Sequence, residues 1–362
     1  MNGGTLREVR LTLPPNEASG LLAAENGTLL EARGWDRALW TLLGEGEIQD
    51  CLSIVGHERG ANMGEGWQIG RLYARPKDDD TETEDAEALA RFDGWIYAFG
   101  SHFGSKDGAL EPKRGFVARF READVGNGMD DPIVDIEVFR ESFVLHRIIN
   151  DALKERGHAT IALAQEGYDL FIEETRRVGR EEEKAWAALV HGDDLPLNVE
   201  GAAFRPDGAL LLGLRFPVAE DGRPILVEVE GLERAFERGD QLPTVRNVWT
   251  VDAVGRSGDI AGVRDLDTGG DEVHLITGNV DGRDEESPLI EDYERGNKVE
   301  TTHFCCTLPP GPHSRLVAAT VVRRFPQITR LEGIAAAHDR FFYAVDEEER
   351  VPLLFAPHGP ND

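Results

Sequence analysis

The sequence predicts an all-β fold, a β-propeller, from three observations. A hairpin with an acid, small residues, a tight turn and an apolar strand recurs along the chain. Three of the four intervals between its copies are similar. The 40 glycines and 18 prolines among 362 residues suit a turn-rich β protein, and 40% hydrophobic residues supply a core.

The defining copy is Asn198-Val-Glu-Gly-Ala-Ala-Phe204, then Pro206-Asp-Gly208, then a Leu-rich strand ending at Arg215. Asp207-Gly208 suits the positive φ of a tight turn, and Leu210, Leu211 and Leu212 read as a buried strand. Gly201 and Ala203 allow the close approach that an innermost propeller strand needs. Four further copies start near Ser19, Glu87, Ala261 and Glu332. Equivalent positions are separated by 68, 113, 61 and 71 residues, longer than the ~40–50 of a standard blade. The expectation is five recognisable blades in one domain spanning 1–362, with room for a sixth in the 103–197 interval.

In chain order, Leu6–Leu13 alternates like a strand, and it is expected to close the ring on the outside of the last blade, whose copy is short of strands. Thr28–Arg33 is read as the second strand of the first hairpin. Asp78–Asp85 is an acid run, read as a solvated loop in preference to a calcium site. From Val138 and Phe139 through Phe143, Leu145, Ile148, Ile149 and Leu153, the apolar spacing becomes helical. A helical insertion over about 134–195, packed on one face as a lid or buttress, accounts for the long interval. Asp265–Asp271 has calcium-loop residue types, but it falls where a hairpin turn belongs. His303-Phe-Cys-Cys306 has metal-ligand types at the wrong spacing for a zinc knuckle, so a strand with core cysteines is expected.

The formal net charge of −29 disfavours binding to nucleic acid or anionic lipid. The three cysteines, two of them adjacent, make no disulfide framework. The opening residues lack a basic start with an apolar run, and no stretch approaches the ~20 apolar residues of a membrane span. A cytoplasmic protein is expected.

The Leu197–Ala203 block, the Leu211–Pro217 strand, Tyr97–His102 and Leu331–Ala335 resemble an uncharacterised bacterial family catalogued only as a domain of unknown function. Its Glu-Gly inner-strand signature is similar to that of the esterase-like and phytase-like β-propellers. Glu200-Gly201 and Glu332-Gly333 match it, whereas Glu87 is followed by Ala88. The resemblance implies a propeller, and only loosely a hydrolase.

Propeller geometry would converge Ser19, Glu87, Glu200, Ala261 and Glu332 on one axis. Glu17, Asp85, Asn198, Asp259 and Arg330 lie two residues back along each strand. Arg33, Ser101, His102, Arg215, Asn279 and Asp346 end the second strands at the same mouth. Neighbouring carboxylates need a cation or shifted pKa values, and oxygen-rich clusters suit calcium. Glu87, Glu200 and Glu332 are therefore candidate calcium ligands or bases, with His102 as a further catalytic candidate. Arg33, Ser101, Asn198, Arg215, Asn279 and Asp346 are candidate ligand-binding residues for a small anionic molecule. Metal-assisted hydrolysis of an anionic ester or phosphoester fits this set. The alternative is a non-catalytic propeller binding a ligand or protein, in which each Glu accepts backbone hydrogen bonds and locks the ring. Ser101 and His102 point to opposite faces and cannot act as nucleophile and base together.

Overall fold

The computed structural model describes residues 5–77, 82–105, 108–126, 133–140, 142–238, 242–283, 286–309 and 316–358. Its strands assort into antiparallel meanders, numbered here in chain order. Meander I comprises Ala18–Ala23, Trp35–Leu43, Leu52–Glu58 and Trp67–Arg71. Meander II comprises Ala86–Phe92, Trp95–Gly100, Phe116–Arg121 and Ile133–Arg140, with Tyr73–Pro76 added in parallel on its outer edge. Meander III comprises Asn198–Phe204, Leu210–Phe216, Ile225–Glu230 and Thr244–Asp252, and meander IV comprises Gly262–Gly269, Glu272–Gly278, Thr301–Thr307 and Leu316–Phe325. Short parallel pairing from Thr250↔Leu316 to Asp252↔Ala318 joins III and IV into one eight-stranded sheet. Meander V comprises Leu331–Ala337, Arg340–Val345 and Val351–Pro357, and Arg7–Leu11 pairs on its outside from Arg7↔Phe355 to Leu11↔Val351.

The first strand of each meander packs on the first strand of the next, from I through V and back to I. That closed cycle is the radial plan of a β-propeller, and it places the first strands around the axis. The core lies between the sheets. Trp40, Ile96 and Phe120 fill the space between I and II, and Tyr97, Phe204 and Leu212 that between II and III. Leu211, Leu266 and Phe304 join III to IV, Ile276, Leu331 and Tyr343 join IV to V, and Leu21, Leu39 and Phe355 join V to I. Each strand offers one face to either neighbour because side chains alternate.

Three sequence readings change. Gly27–Arg33 is a helix, not a strand: the Asn26 side chain accepts from Leu29 N at 3.1 Å, and Gly34 closes it in the left-handed region. Its Leu, Glu, Ala and Arg are good helix formers, and they lack strand alternation. Ile133–Arg140 is the fourth strand of meander II, so Val138 and Phe139 belong to a sheet. Its Ile-Val-Asp-Ile-Glu-Val sequence has the two-residue period of a half-buried strand. Helix begins only at Val144, where Val144–Glu155 buries Leu145, Ile149 and Leu153 against meanders II and III. Shorter helical turns follow over 165–181 and 185–189. Third, Asp265 and Asp267 lie on the first strand of meander IV, before the turn at Gly270.

Asp78–Thr81 of the acid run lie outside the described residues, while Glu84 pairs with Lys113 and Arg114. Among the described residues, no helix is long and apolar enough to cross a membrane.

Candidate functional site

A repeated β-bulge builds the axial site. In every meander the pairing of the first and second strands skips one residue near the same end. The skipped residues are Gly20, Glu87, Glu200, Arg264 and Glu332. A bulge kinks the strand and re-aims one side chain. The residue after it approaches the next meander closely. A Cβ on Gly201 would stand 2.7 Å from Leu266 Cγ, and one on Gly333 would stand 2.8 Å from Leu21 Cγ. This is the physical content of the Glu-Gly signature.

Ser19 and Ala261 are thus not the axial equivalents of the three acids. Gly20 and Arg264 occupy those slots, because the hairpin copies near them were aligned one and three residues early. Ala261 precedes its strand and donates its backbone N–H to Gly222 O at 2.9 Å. Ser19 stays adjacent to the site, hydrogen-bonded to the Glu87 carboxylate.

Arg264 is the residue that sequence reasoning missed, and it organises the cluster. Its buried guanidinium reaches Glu200 Oε2 at 3.1 Å and pairs with Glu332. Arg215 Nη1 donates to Glu200 Oε1 at 2.5 Å, and its Nε donates to Asn279 O at 3.1 Å. Asn198 Nδ2 donates to Glu200 Oε1 at 3.3 Å. Burial, and then the Arg215 charge, hold Arg264 down to about 10. Glu87 accepts from Ser19 instead. Burial, then Asp85 and Glu200, push its carboxyl well above the usual range.

At the mouth, Asp85 sits in the left-handed region and accepts from Ser101 Oγ and from Arg114 Nη1, the latter at 2.8 Å. Burial raises its carboxyl despite Arg114. Asp346 pairs at 3.7 Å with the exposed Arg330, and burial raises it as well, against the pull of Arg330 and Arg264. The carbonyl of Asn279 is taken by Arg215, and its Oδ1 accepts from Val299 N. His102 is buried with its ring folded back, Nδ1 lying 2.7 Å from Gly100 O. Arg33 lies elsewhere. It ends the helix between the first two strands of meander I, stacked over Trp35 at the opposite end from the mouth. The mouth position assigned to it follows Leu43, where Glu45 acts electrostatically on both Asp85 and Asp346.

The ring is locked by other acids. Asp265 Oδ2 accepts from Ile334 N at 2.7 Å and from Leu21 N at 3.3 Å, and Asp267 Oδ2 accepts from Ala336 N at 2.5 Å. Meander IV thus clips V and I with carboxylates, while Glu87, Glu200 and Glu332 pair with side chains.

Among the described residues, acidic, His and Cys side chains converge closely enough to share an ion at His191, Asp193 and Asp194, and at Glu272, His274 and Cys305. The first group is already neutralised by Arg147 and Lys154, each 2.8 Å from Asp194. Glu87, Glu200 and Glu332 are not such a group; Arg264 supplies counter-charge between the last two.

No family model matches the chain, and no curated protein matches it. Among solved structures it is similar to a glucose dehydrogenase, at 11% identity and TM-score 0.39, covering 98% of this chain and 100% of that one. It is similar to a Bacillus subtilis levansucrase, at 12% and 0.40, covering 91% and 80%. A glycoside hydrolase described from Parabacteroides distasonis gives 9% and 0.40, covering 96% and 88%. Likeness at this level carries no inference about activity.

Proposed function

We propose that the chain is a five-bladed β-propeller with a helical segment inserted between its second and third blades, and that it binds a small polar ligand at the axial mouth. The ligand is rich in hydrogen-bond donors, a polyol or an amine. The observation that carries this reading is a pair of buried acceptors beside Arg264. Asn198 Oδ1 and Asp346 Oδ1 accept no hydrogen bond from the protein. A buried acceptor left unpaired costs roughly 1–3 kcal/mol, which a donor-bearing ligand recovers. Arg215, Arg264 and Arg114 are ion-paired to Glu200, Glu332 and Asp85, which offsets their charge, while Arg264 Nε and Nη1 donate no hydrogen bond to the protein and remain open to the oxygens of a polyol. Arg264 takes the counter-charge role that calcium would otherwise fill.

A thermal-shift panel of sugars, polyols, amines and inorganic phosphate tests this. A donor-rich compound should raise the melting temperature, and Asn198→Leu should remove that shift. At 100-fold excess over Kd the gain is about 2.7 kcal/mol. Stabilisation by phosphate or calcium alone would overturn the reading.

One observation favours a second reading, a hydrolase. Burial pushes the Glu87 carboxyl well up beside carboxylates that are paired to guanidinium groups. Environments that push two acids apart in pKa suit one as proton donor and the other as base or nucleophile. In that reading a chromogenic glycoside and ester panel shows turnover, Glu87→Gln abolishes it, and the rate falls as pH rises through the raised Glu87 pKa. A blank panel leaves the binding function alone.

A further inference from the structure

The first and second sheet faces of meander IV carry different chemistry. Val273, Leu275, Phe304 and Cys306 point into the core shared with meander III. The opposite face carries Glu272 and His274 on one strand, and His303 and Cys305 on its partner. His274 is directly opposite Cys305 in the antiparallel register, and the non-adjacent Glu272 lies two residues before His274 on the same face. Ligand atoms of Glu272, His274 and Cys305 all lie within 4.8 Å of one another, and His274 Nε2 is 3.9 Å from Glu272 Oε2. In a tetrahedral zinc site, bond lengths of ~2.0–2.3 Å place ligands roughly 3.3–3.6 Å apart. Small side-chain rotations close the gap, because Glu272 is exposed and Cys305 half-buried.

The inner side of the imidazole is already braced. His274 Nδ1 lies 3.0 Å from His303 Nε2, and His303 Nδ1 lies 3.0 Å from the Tyr343 hydroxyl. If Nδ1–H of His274 donates inward, Nε2 keeps its lone pair and faces Glu272 and Cys305. A buried partner on the far nitrogen of a histidine is the usual arrangement behind a metal ligand. His303 and Tyr343 are buried, and Phe341 packs against both histidines. Glu272 and Cys305 also line an open cleft of about 490 Å³, which gives an ion access and leaves room for a further ligand.

We propose that Glu272, His274 and Cys305 form a mononuclear site for a zinc-class transition-metal ion, remote from the axial cluster. One thiolate, one imidazole and one carboxylate favour zinc or cobalt over calcium or magnesium, and three protein ligands leave one position open. Binding releases the thiol proton to solvent, so affinity rises with pH. His303 acts as a positioning residue through His274.

The test uses the full chain, treated with chelator and titrated with Co²⁺. The expected result is one cobalt bound per chain, with tetrahedral visible bands and a thiolate-to-cobalt charge-transfer band, all displaced by Zn²⁺. Cys305→Ser should abolish the charge-transfer band. His274→Ala and Glu272→Gln should weaken binding at least tenfold. His303→Phe should weaken it roughly 10–100-fold while the band persists. Cys306→Ala should leave the spectrum intact, and circular dichroism checks that each variant is folded. Absence of cobalt uptake by the folded native chain would overturn the proposal, as would loss of the band in Cys306→Ala with its retention in Cys305→Ser.

Discussion

Arg264 shows how much one buried charge can decide. It is 4% exposed, and two glutamates from neighbouring meanders converge on it. Removing one member of a buried ion cluster leaves the others uncompensated, which costs about 3–5 kcal/mol. Arg264→Ala should lose that much in urea unfolding, and more than Arg215→Ala, whose loss leaves Glu200 still paired with Arg264. Equal, small losses in both would show that the cluster is well hydrated. Asp267 gives a pH signature. Burial raises its carboxyl to about 6 despite the backbone bonds from Ala336 and Thr268. A carboxyl raised in the folded state binds its proton more tightly there, so stability falls as pH rises between the unfolded and folded values. Its contribution is complete below the ordinary carboxyl value of about 4 and is lost as pH passes about 6. Asp267→Asn should flatten that arm of the stability profile, measured by urea unfolding at stepped pH. An unchanged slope would show that Asp267 stays ionised throughout.

At the scale of the element, the bulged first strand is the working unit. Four bulges aim a long side chain at the axis, and the fifth holds Gly20 at φ +62°. A Cβ there would meet Glu87 O at 3.1 Å. Gly20→Ala should cost about 1–2 kcal/mol from the left-handed backbone alone, read as a lower melting temperature. A neutral outcome would mean that the bulge relaxes. The three acids at Glu87, Glu200 and Glu332 were legible in sequence because each begins a hairpin of the same order. Arg264 had a signal too. It lies 64 residues after Glu200 and 68 before Glu332, a more even spacing than Ala261 gives. That signal was hidden because a bulge shifts the alternation by one, and because arginine breaks the acid pattern. The Arg33 assignment failed for a different reason. A short capped helix between two strands has the same apolar content as a strand, and the Asn26 cap, the Gly34 stop and the missing alternation distinguish it.

At the scale of the molecule, closure rests on Arg7–Leu11 pairing with Val351–Pro357. Val9 and Leu11 bury into the core between meanders V and I. Deleting residues 1–13 would strip that cover and bare a strand edge, which invites pairing with another chain. The truncated protein should melt lower and form larger species in size-exclusion chromatography. A monomer of unchanged melting temperature would show that the outer strand is dispensable. By itself the sequence determined the repeating hairpin, the radial plan and three of the axial acids, since these follow from alternation, turn chemistry and copying. Tertiary structure alone decided the distant partners of those acids. Glu200 and Glu332 meet Arg264, Glu87 meets Glu200, and Asp265 and Asp267 meet backbone amides of the next sheet. Partners brought from 60 or more residues away depend on ring closure and on single-residue bulges, which leave no local period in the chain.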